Sequence, residues 1–258
     1  MSIICATERP EIAQPATAGP RIDGIVHENL GWYHPVKRVA DAVVAIGLLV
    51  ATAPMILVLL GLVKLTSPGP GLFSQVRLGR DGRPYRLYKI RTMTHDCERT
   101  TGPQWSTLKD SRVTPLGRFL RKSHLDELPQ LWNVARGEMS LIGPRPERPE
   151  FVVDLERVVP GYRRRLEVLP GITGLAQIQL PPDNDIDDVH RKVRCDLRYI
   201  QEMGPAIEVK ILAGTAMKIL GCSYRTTSLV LNLPGVVDRR PGGSVQVKRR
   251  SMGRWQST

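Results

Sequence analysis

Ala42-Val43-Val44-Ala45-Ile46-Gly47-Leu48-Leu49-Val50-Ala51-Thr52-Ala53-Pro54-Met55-Ile56-Leu57-Val58-Leu59-Leu60-Gly61-Leu62-Val63 is a run without a charge, bounded by Asp41 and Lys64. A helix of that length reaches across the roughly 30 Å hydrocarbon core of a bilayer, and a helix with no polar face is unusual in a soluble core. Pro54 lies near its centre. A proline there withholds a backbone hydrogen bond and clashes with the carbonyl four residues back, so a bend or break is expected. Two half-helices of about eleven residues would remain, each rising roughly 16 Å, far enough to enter the membrane to mid-depth and return. Lys37 and Arg38 precede the run, and Lys64, Arg77, Arg80, Arg83 and Arg86 follow it. Positive flanks stay on the cytoplasmic side, and here both ends carry them. A re-entrant hairpin satisfies both; a kinked transmembrane span and a buried core helix are the alternatives.

Outward from this segment, Thr66-Ser67-Pro68-Gly69-Pro70-Gly71 is a strong breaker that closes it. Leu72 to Val76 and Tyr85 to Met93 read as strands around the turn Arg80-Asp81-Gly82-Arg83, a hairpin signal. Helical patterns follow over Val113 to Arg121, Asp126 to Arg136, Glu147 to Val159 and Asp187 to Glu202, the last stopped by Gly204-Pro205. Over Ala206 to Leu220, Val209, Leu212, Ala213, Ala216, Ile219 and Leu220 share one face, with Glu208, Lys210, Thr215 and Lys218 on the other. That oily face suits either the domain's own core or a membrane surface. The expected layout is a mobile N-terminal tail over 1–35, a re-entrant membrane helix over 36–65 and a catalytic domain over 66–205. An amphipathic interfacial helix over 206–220 and a mobile C-terminal tail over 221–258 complete it. The fold class is α/β: a mostly helical catalytic domain with a short strand hairpin, anchored by the re-entrant helix.

Across the 258 residues, 37 Lys and Arg outnumber 25 Asp and Glu, a formal charge of +12, so anionic partners are favoured. Cys5, Cys97, Cys195 and Cys222 are far apart and contain no C-x-x-C pair, which suggests neither a zinc site nor a disulfide framework. The stretch before Arg21 has no apolar run, so a secretory signal is not expected there. No aromatic platform or nucleic-acid motif accompanies the charge, which argues against a nucleic-acid partner.

Strand alternation puts Lys89 and Arg91 on one face, about 7 Å apart, a spacing that suits a diphosphate. Arg118 and Arg121 lie one helical turn apart just before Asp126-Glu127. The acids precede Pro129, which a helix tolerates only in its first turn, so both sit at the positive end of that helix. A structural account is available, since Ser123 and Asp126 match a capping box. It leaves the surrounding cations unexplained, and in Gly143-Pro144-Arg145-Pro146 two prolines hold the backbone around an arginine suited to phosphate. Paired carboxylates also serve glycoside cleavage, but there they flank the bond about 5 Å or more apart, which adjacent helical residues do not. A non-catalytic polybasic membrane scaffold explains the charge and the oily run, and leaves the acids and Arg145 without a role.

Together these residues form an ordered series. Lys37-Arg38 with Asp41 is followed by Tyr88-Lys89-Ile90-Arg91-Thr92-Met93, Leu116-Gly117-Arg118-Phe119-Leu120-Arg121 and Leu125-Asp126-Glu127-Leu128-Pro129-Gln130-Leu131-Trp132-Asn133. Gly137 to Pro146 and Pro170-Gly171-Ile172-Thr173-Gly174 complete it. From Val36 to Leu220 the chain resembles the bacterial sugar transferases, the small monotopic polyprenyl-phosphate phosphoglycosyl transferases. The resemblance implies a re-entrant membrane helix broken at Pro54, placement on the cytoplasmic face of the bacterial inner membrane, and a two-step transfer. In it a sugar 1-phosphate passes from a UDP-sugar to polyprenyl (undecaprenyl) phosphate with release of UMP, as the first membrane step of exopolysaccharide or related glycan synthesis. It carries Asp126 over as nucleophile and Glu127 as its partner, with both as ligands of a Mg²⁺ ion. Arg121 and Arg145 carry over as phosphate-binding or fold-organising residues, joining Lys89, Arg91 and Arg118 as candidate substrate cations. Ala53 stands where the family often has Ser, Leu169 where it has Arg, and Leu175 where it has Trp. The sugar stays undetermined, and a homo-oligomer stays open.

Overall fold

The computed structural model of the protein describes residues 31–98, 102, 110–181 and 186–233. The expected tails lie outside the described residues up to 30 and from 234 onward, and the last residues of the expected 1–35 tail already belong to a helix that starts at Tyr33, whose ring is buried.

The apolar run forms helix α1, Tyr33–Thr66. It is one continuous helix through Pro54 rather than two separate half-helices, although the proline still leaves the Val50 carbonyl without its usual helical donor. Most of α1 is bare. Val43, Val50 and Leu57 are each more than 60% exposed, which removes the buried-core alternative. What α1 does bury comes in two patches. Ala45, with Leu49 beside it, packs with Leu87, Leu131, Val134 and Met139. Leu59 and Val63 pack with Ile90 and Leu120.

Both ends of α1 are tied to the rest of the chain. Near its start, Lys37 pairs with Asp41 at 3.1 Å and with Glu208 at 2.8 Å, and the Ser140 hydroxyl donates to Asp41 at 2.6 Å. After its end, the buried Arg91 guanidinium donates to the Ser67 and Pro68 carbonyls at 2.7 and 2.6 Å, which fixes the breaker segment.

Strands β1 (Leu72–Leu78) and β2 (Pro84–Ile90) form the expected antiparallel hairpin, from Leu72 opposite Ile90 to Leu78 opposite Pro84. Asp81 and Gly82 take the left-handed backbone its tight turn requires, with φ of 59° and 73°. Helix α2 (Pro115–Ser123) starts with Thr114 accepting from the Gly117 amide at 2.9 Å. Helix α3 (Gln130–Ala135) packs on α1, and α4 (Pro149–Val158) lies beside β1.

A second sheet is not apparent from periodicity. Strands β3 (Ser140–Ile142) and β4 (Gly171–Thr173) pair in parallel. There Gly143 and Gly171 cross so closely that a Cβ on either would collide with the other's backbone. Helices α5 (Leu175–Gln179), α6 (Ile186–Glu202) and α7 (Pro205–Ile219) complete the domain around a core of Leu175, Ile178, Tyr199 and Ile211. Leu175 is buried there, so this departure from the family pattern is a packing change.

Toward the C-terminus one expectation changes, and for α7 the structure shows which way an already expected face turns. The reading of residues 221–258 as a tail gives way at its start to helix α8 (Tyr224–Val230), in which Ser223 accepts from the Thr226 amide at 3.1 Å and Thr227 is buried. The expected polar face of α7 points inward, because each member has a distant partner. The Tyr199 hydroxyl donates to Glu208 at 2.8 Å, Thr215 bonds Thr173 at 2.7 Å, and Lys218 donates to the Gln177 carbonyl at 2.9 Å. Val209, Leu212, Ala216, Ile219 and Leu220 face outward instead.

Candidate active site

Helix α2 ends at His124, whose left-handed backbone (φ 57°) turns the chain sharply into a single 3-10 turn, Leu125–Glu127. Asp126 and Glu127 thus lie ahead of α3 rather than inside a helix running to Arg136. The capping box does not form: Ser123 closes α2, donating to the Phe119 and Leu120 carbonyls at 2.9 and 3.1 Å.

Glu127 is buried and clamped. Its Oε1 accepts from Lys89 Nζ at 2.8 Å and from Arg145 Nη2 at 2.6 Å. Burial alone would raise its pKa, but the Arg145 and Lys89 charges and hydrogen bonds overcome this and hold the carboxyl well below the usual range. Burial likewise lowers the Lys89 ammonium's pKa, opposed by Glu127, while the Glu127 charge raises that of the Arg145 guanidinium. The three form a locked, net-positive unit.

Asp126 is the opposite case. It is equally buried but accepts no hydrogen bond from a described residue. Burial pushes its pKa up to about 6, with the Glu127 charge adding and Lys89, Arg145 and Arg121 opposing. Two neighbouring carboxylates are thereby driven apart: one is permanently charged and immobile, the other charged at neutral pH with its oxygens open.

The loop carrying Arg145 is held from behind. The buried Arg165 donates to the Arg145 carbonyl at 2.9 Å, to Asp196 at 2.6 Å and to the Tyr162 hydroxyl at 2.8 Å. Arg121 Nε donates to the Thr92 hydroxyl at 2.8 Å, which ties α2 to the segment after β2.

The structure therefore brings Lys89, Arg121 and Arg145 to the two acids. It does not bring the full set. Arg91 lies beyond the end of β2 and is engaged at the end of α1, so Lys89 and Arg91 form no joint cationic face. Arg118 points outward, with one weak bond to the Val113 carbonyl at 3.4 Å. His124 and Lys218, which no motif marks as site residues, stand near enough for the charges of Glu127 and Arg145 to act on them. Of these, only His124 had a local signal, its place between α2 and the acids.

Mg²⁺ takes one or two protein carboxylates and fills the remaining positions with phosphate oxygens and water. Among the described residues no group of three metal-ligating acids, histidines or cysteines exists. The open carboxylate of Asp126 fits that mode of binding, while the oxygens of Glu127 are already engaged.

Known proteins share this arrangement of sequence. A family model described as bacterial sugar transferase matches residues 32–222. The UDP-N-acetylgalactosamine-undecaprenyl-phosphate N-acetylgalactosaminephosphotransferase of Aeromonas hydrophila is 38% identical over 81% of this chain and 51% of its own length. A putative undecaprenyl-phosphate N-acetylgalactosaminyl 1-phosphate transferase of Bacillus subtilis is 45% identical over 54% of this chain and 77% of its own. The UDP-glucose:undecaprenyl-phosphate glucose-1-phosphate transferase of Klebsiella pneumoniae is 39% identical over 70% of this chain and 39% of its own. The chain thus spans about half the length of the Aeromonas relative, and the family model's match over 32–222 includes both acids, the clamp on Glu127 and the whole of α1. Because the match runs without a break from the start of α1 to the end of α7, the chain belongs to the bacterial sugar transferase family.

Proposed function

We propose that this protein transfers a sugar 1-phosphate from a UDP-sugar to undecaprenyl phosphate through a covalent intermediate on Asp126. The observation that carries the reading is the unlike state of the two acids. A carboxylate with its oxygens open, next to a clamped one and a surplus of cations, is suited to attack an anionic phosphorus. In the first step an Asp126 oxygen bonds to the sugar-bearing phosphorus as the bond to UMP breaks, and UMP leaves with the electron pair. In the second, an oxygen of the acceptor phosphate attacks the same phosphorus and the carboxylate departs unchanged. Arg145 and Arg121 offset the charge of the phosphates, and Glu127 holds Lys89 and Arg145 in place for that work. Mg²⁺, when bound at Asp126, supplies further neutralisation of phosphate charge. Relatives are named for glucose, galactose and N-acetylgalactosamine, which supports a UDP-hexose or UDP-N-acetylhexosamine donor and no finer choice.

The bare surface of α1 supports membrane anchoring, and the attachment of both its ends to one domain supports a re-entrant seat on the cytoplasmic face of the inner membrane. The outward apolar stripe of α7 supports a second contact with the bilayer surface. Both seats are supported by large exposed apolar areas against which no described residue packs. Cysteines placed at the exposed Trp32 and Thr66 should react with an impermeant label from the cytoplasmic side alone; periplasmic reaction at either would favour a spanning helix.

The chemical test uses purified protein, Mg²⁺ and a labelled UDP-sugar without lipid acceptor. About one UMP per active enzyme should be released, with labelled sugar phosphate left on the protein. Asp126→Asn should lose both signals. Lipid-linked product from that variant, or consumption of donor only when acceptor is present, would refute the covalent route.

A further inference from the structure

We infer that Lys218 of α7 is a ligand for the phosphate of the lipid acceptor, distinct from the cations that receive the donor. The inference rests on the transferase reading above.

Its place follows from a short chain of bonds. Thr215 bonds Thr173 at 2.7 Å, and the Thr173 carbonyl accepts from the Gly143 amide at 2.9 Å, at the start of the segment that carries Arg145. Lys218 lies three residues after Thr215, on the same side of α7. Its ammonium donates to the Gln177 carbonyl at 2.9 Å and stands 5.4 Å from the centre of the Tyr224 ring. These two contacts fix a side chain that would otherwise sample many rotamers.

An ammonium has three donors, and among the described residues only one neutral carbonyl accepts from this one. No carboxylate of a described residue pairs with it. Glu127, whose charge reaches it, is already clamped by Lys89 and Arg145. Arg145 and Lys218 are like charges converging on one region, an arrangement that a doubly charged phosphate monoester resolves.

The opposite face of α7 indicates which phosphate. Val209, Leu212, Ile219 and Leu220 point away from the domain and are exposed. A phosphate at the end of an isoprenoid chain arrives along such an apolar face, at the level where a lysine of the same helix can meet it. A nucleotide sugar comes from water and needs no such approach.

The test measures KM for undecaprenyl phosphate and for the UDP-sugar with full-length protein in lipid nanodiscs. Lys218→Met should raise the acceptor KM about tenfold or more, the weight of a lost charge-assisted hydrogen bond, with the donor KM within about twofold. Lys218→Arg should restore the acceptor KM to within about threefold, since the charge returns. Tyr224→Leu, which keeps the ammonium but removes the ring that fixes it, should raise the acceptor KM alone by about two- to fivefold. An unchanged acceptor KM in Lys218→Met overturns the inference, as does an equal rise in both KM values, which would assign Lys218 to the donor. If Lys218→Met does not fold, Tyr224→Leu decides between the same outcomes. A wild-type protein that makes no lipid-linked product would fail earlier, sinking the transferase reading and this inference with it, whereas failure confined to the Lys218 and Tyr224 variants leaves that reading standing.

Discussion

Replacing Asp126 by Asn should abolish activity and make the protein more stable at neutral pH. Burial raises the Asp126 pKa from 3.8 to about 6, a balance that already includes the attraction of Lys89, Arg145 and Arg121. A carboxyl raised in this way favours the fold when protonated. Its contribution is complete below the unfolded value and is lost as pH rises through the folded one. At about pH 7.5 the charged side chain therefore costs about 3 kcal/mol, and near pH 4.5 only about 1 kcal/mol. Asn carries no charge at either pH, so the variant's advantage should grow by about 2 kcal/mol between them, independently of what the amide itself contributes. For a domain of this size that difference is about 4–8 °C in melting temperature. The assay is thermal unfolding of wild type and variant in detergent at both pH values, with chelator and without donor. An Asp126→Asn protein whose melting difference from wild type is the same at both pH values would refute the account of a strained, desolvated nucleophile.

The same shift sets the pH dependence of the first step. UMP release at low donor concentration should be half-maximal near pH 6, fall about tenfold per unit below that and level off above about pH 7, because only the ionised carboxylate attacks; a profile flat down to about pH 5 would place Asp126 in the ordinary range. Arg165→Met should destabilise by about 3–5 kcal/mol, since it breaks a buried ion pair by removing the guanidinium that donates to Asp196 at 2.6 Å. Adding Asp196→Leu should restore folding but not donor affinity, because the Arg145 carbonyl stays untethered; full activity in the double variant would count against that support. Leu212→Asp with Ile219→Asp should weaken binding to anionic liposomes while leaving the unfolding temperature within a few degrees; loss of the fold instead would mean that this face packs on protein.

The long apolar helix and the first hairpin were readable because their signals are local. A charge-free run is visible in any window, and Asp81-Gly82 supplies the backbone a tight turn needs. The β3–β4 pair has three residues on each side and joins segments about thirty positions apart, too short for periodicity to register. The two acids were legible as candidates, but not their division of labour. That depends on Lys89 and Arg145, 38 and 18 residues away from Glu127, and on burial, which no spacing rule gives. Arg91 looked like a partner of Lys89 because alternation fixes a side of a strand, not where the strand ends. Which way the oily face of α7 turns is not readable for a related reason. Glu208, Thr215 and Lys218 are polar yet internal, since Tyr199, Thr173 and Gln177 meet them, and only the fold brings those partners near.

Lys37 and Asp41 fasten one end of α1 while Arg91 fastens the other, and both fastenings belong to the body that holds Asp126. Seated in one leaflet, such a bracket would set the height of the reacting carboxylate above the headgroups by the protein's own bonds. A helix that crosses a membrane must tilt or deform the lipid when thicknesses disagree, at a fraction of a kcal/mol for each Å. A fixture standing with both feet on one side has no such quarrel with the far leaflet. Turnover should then be insensitive to acyl-chain length, and the enzyme would work at one depth in thin membranes and thick ones alike.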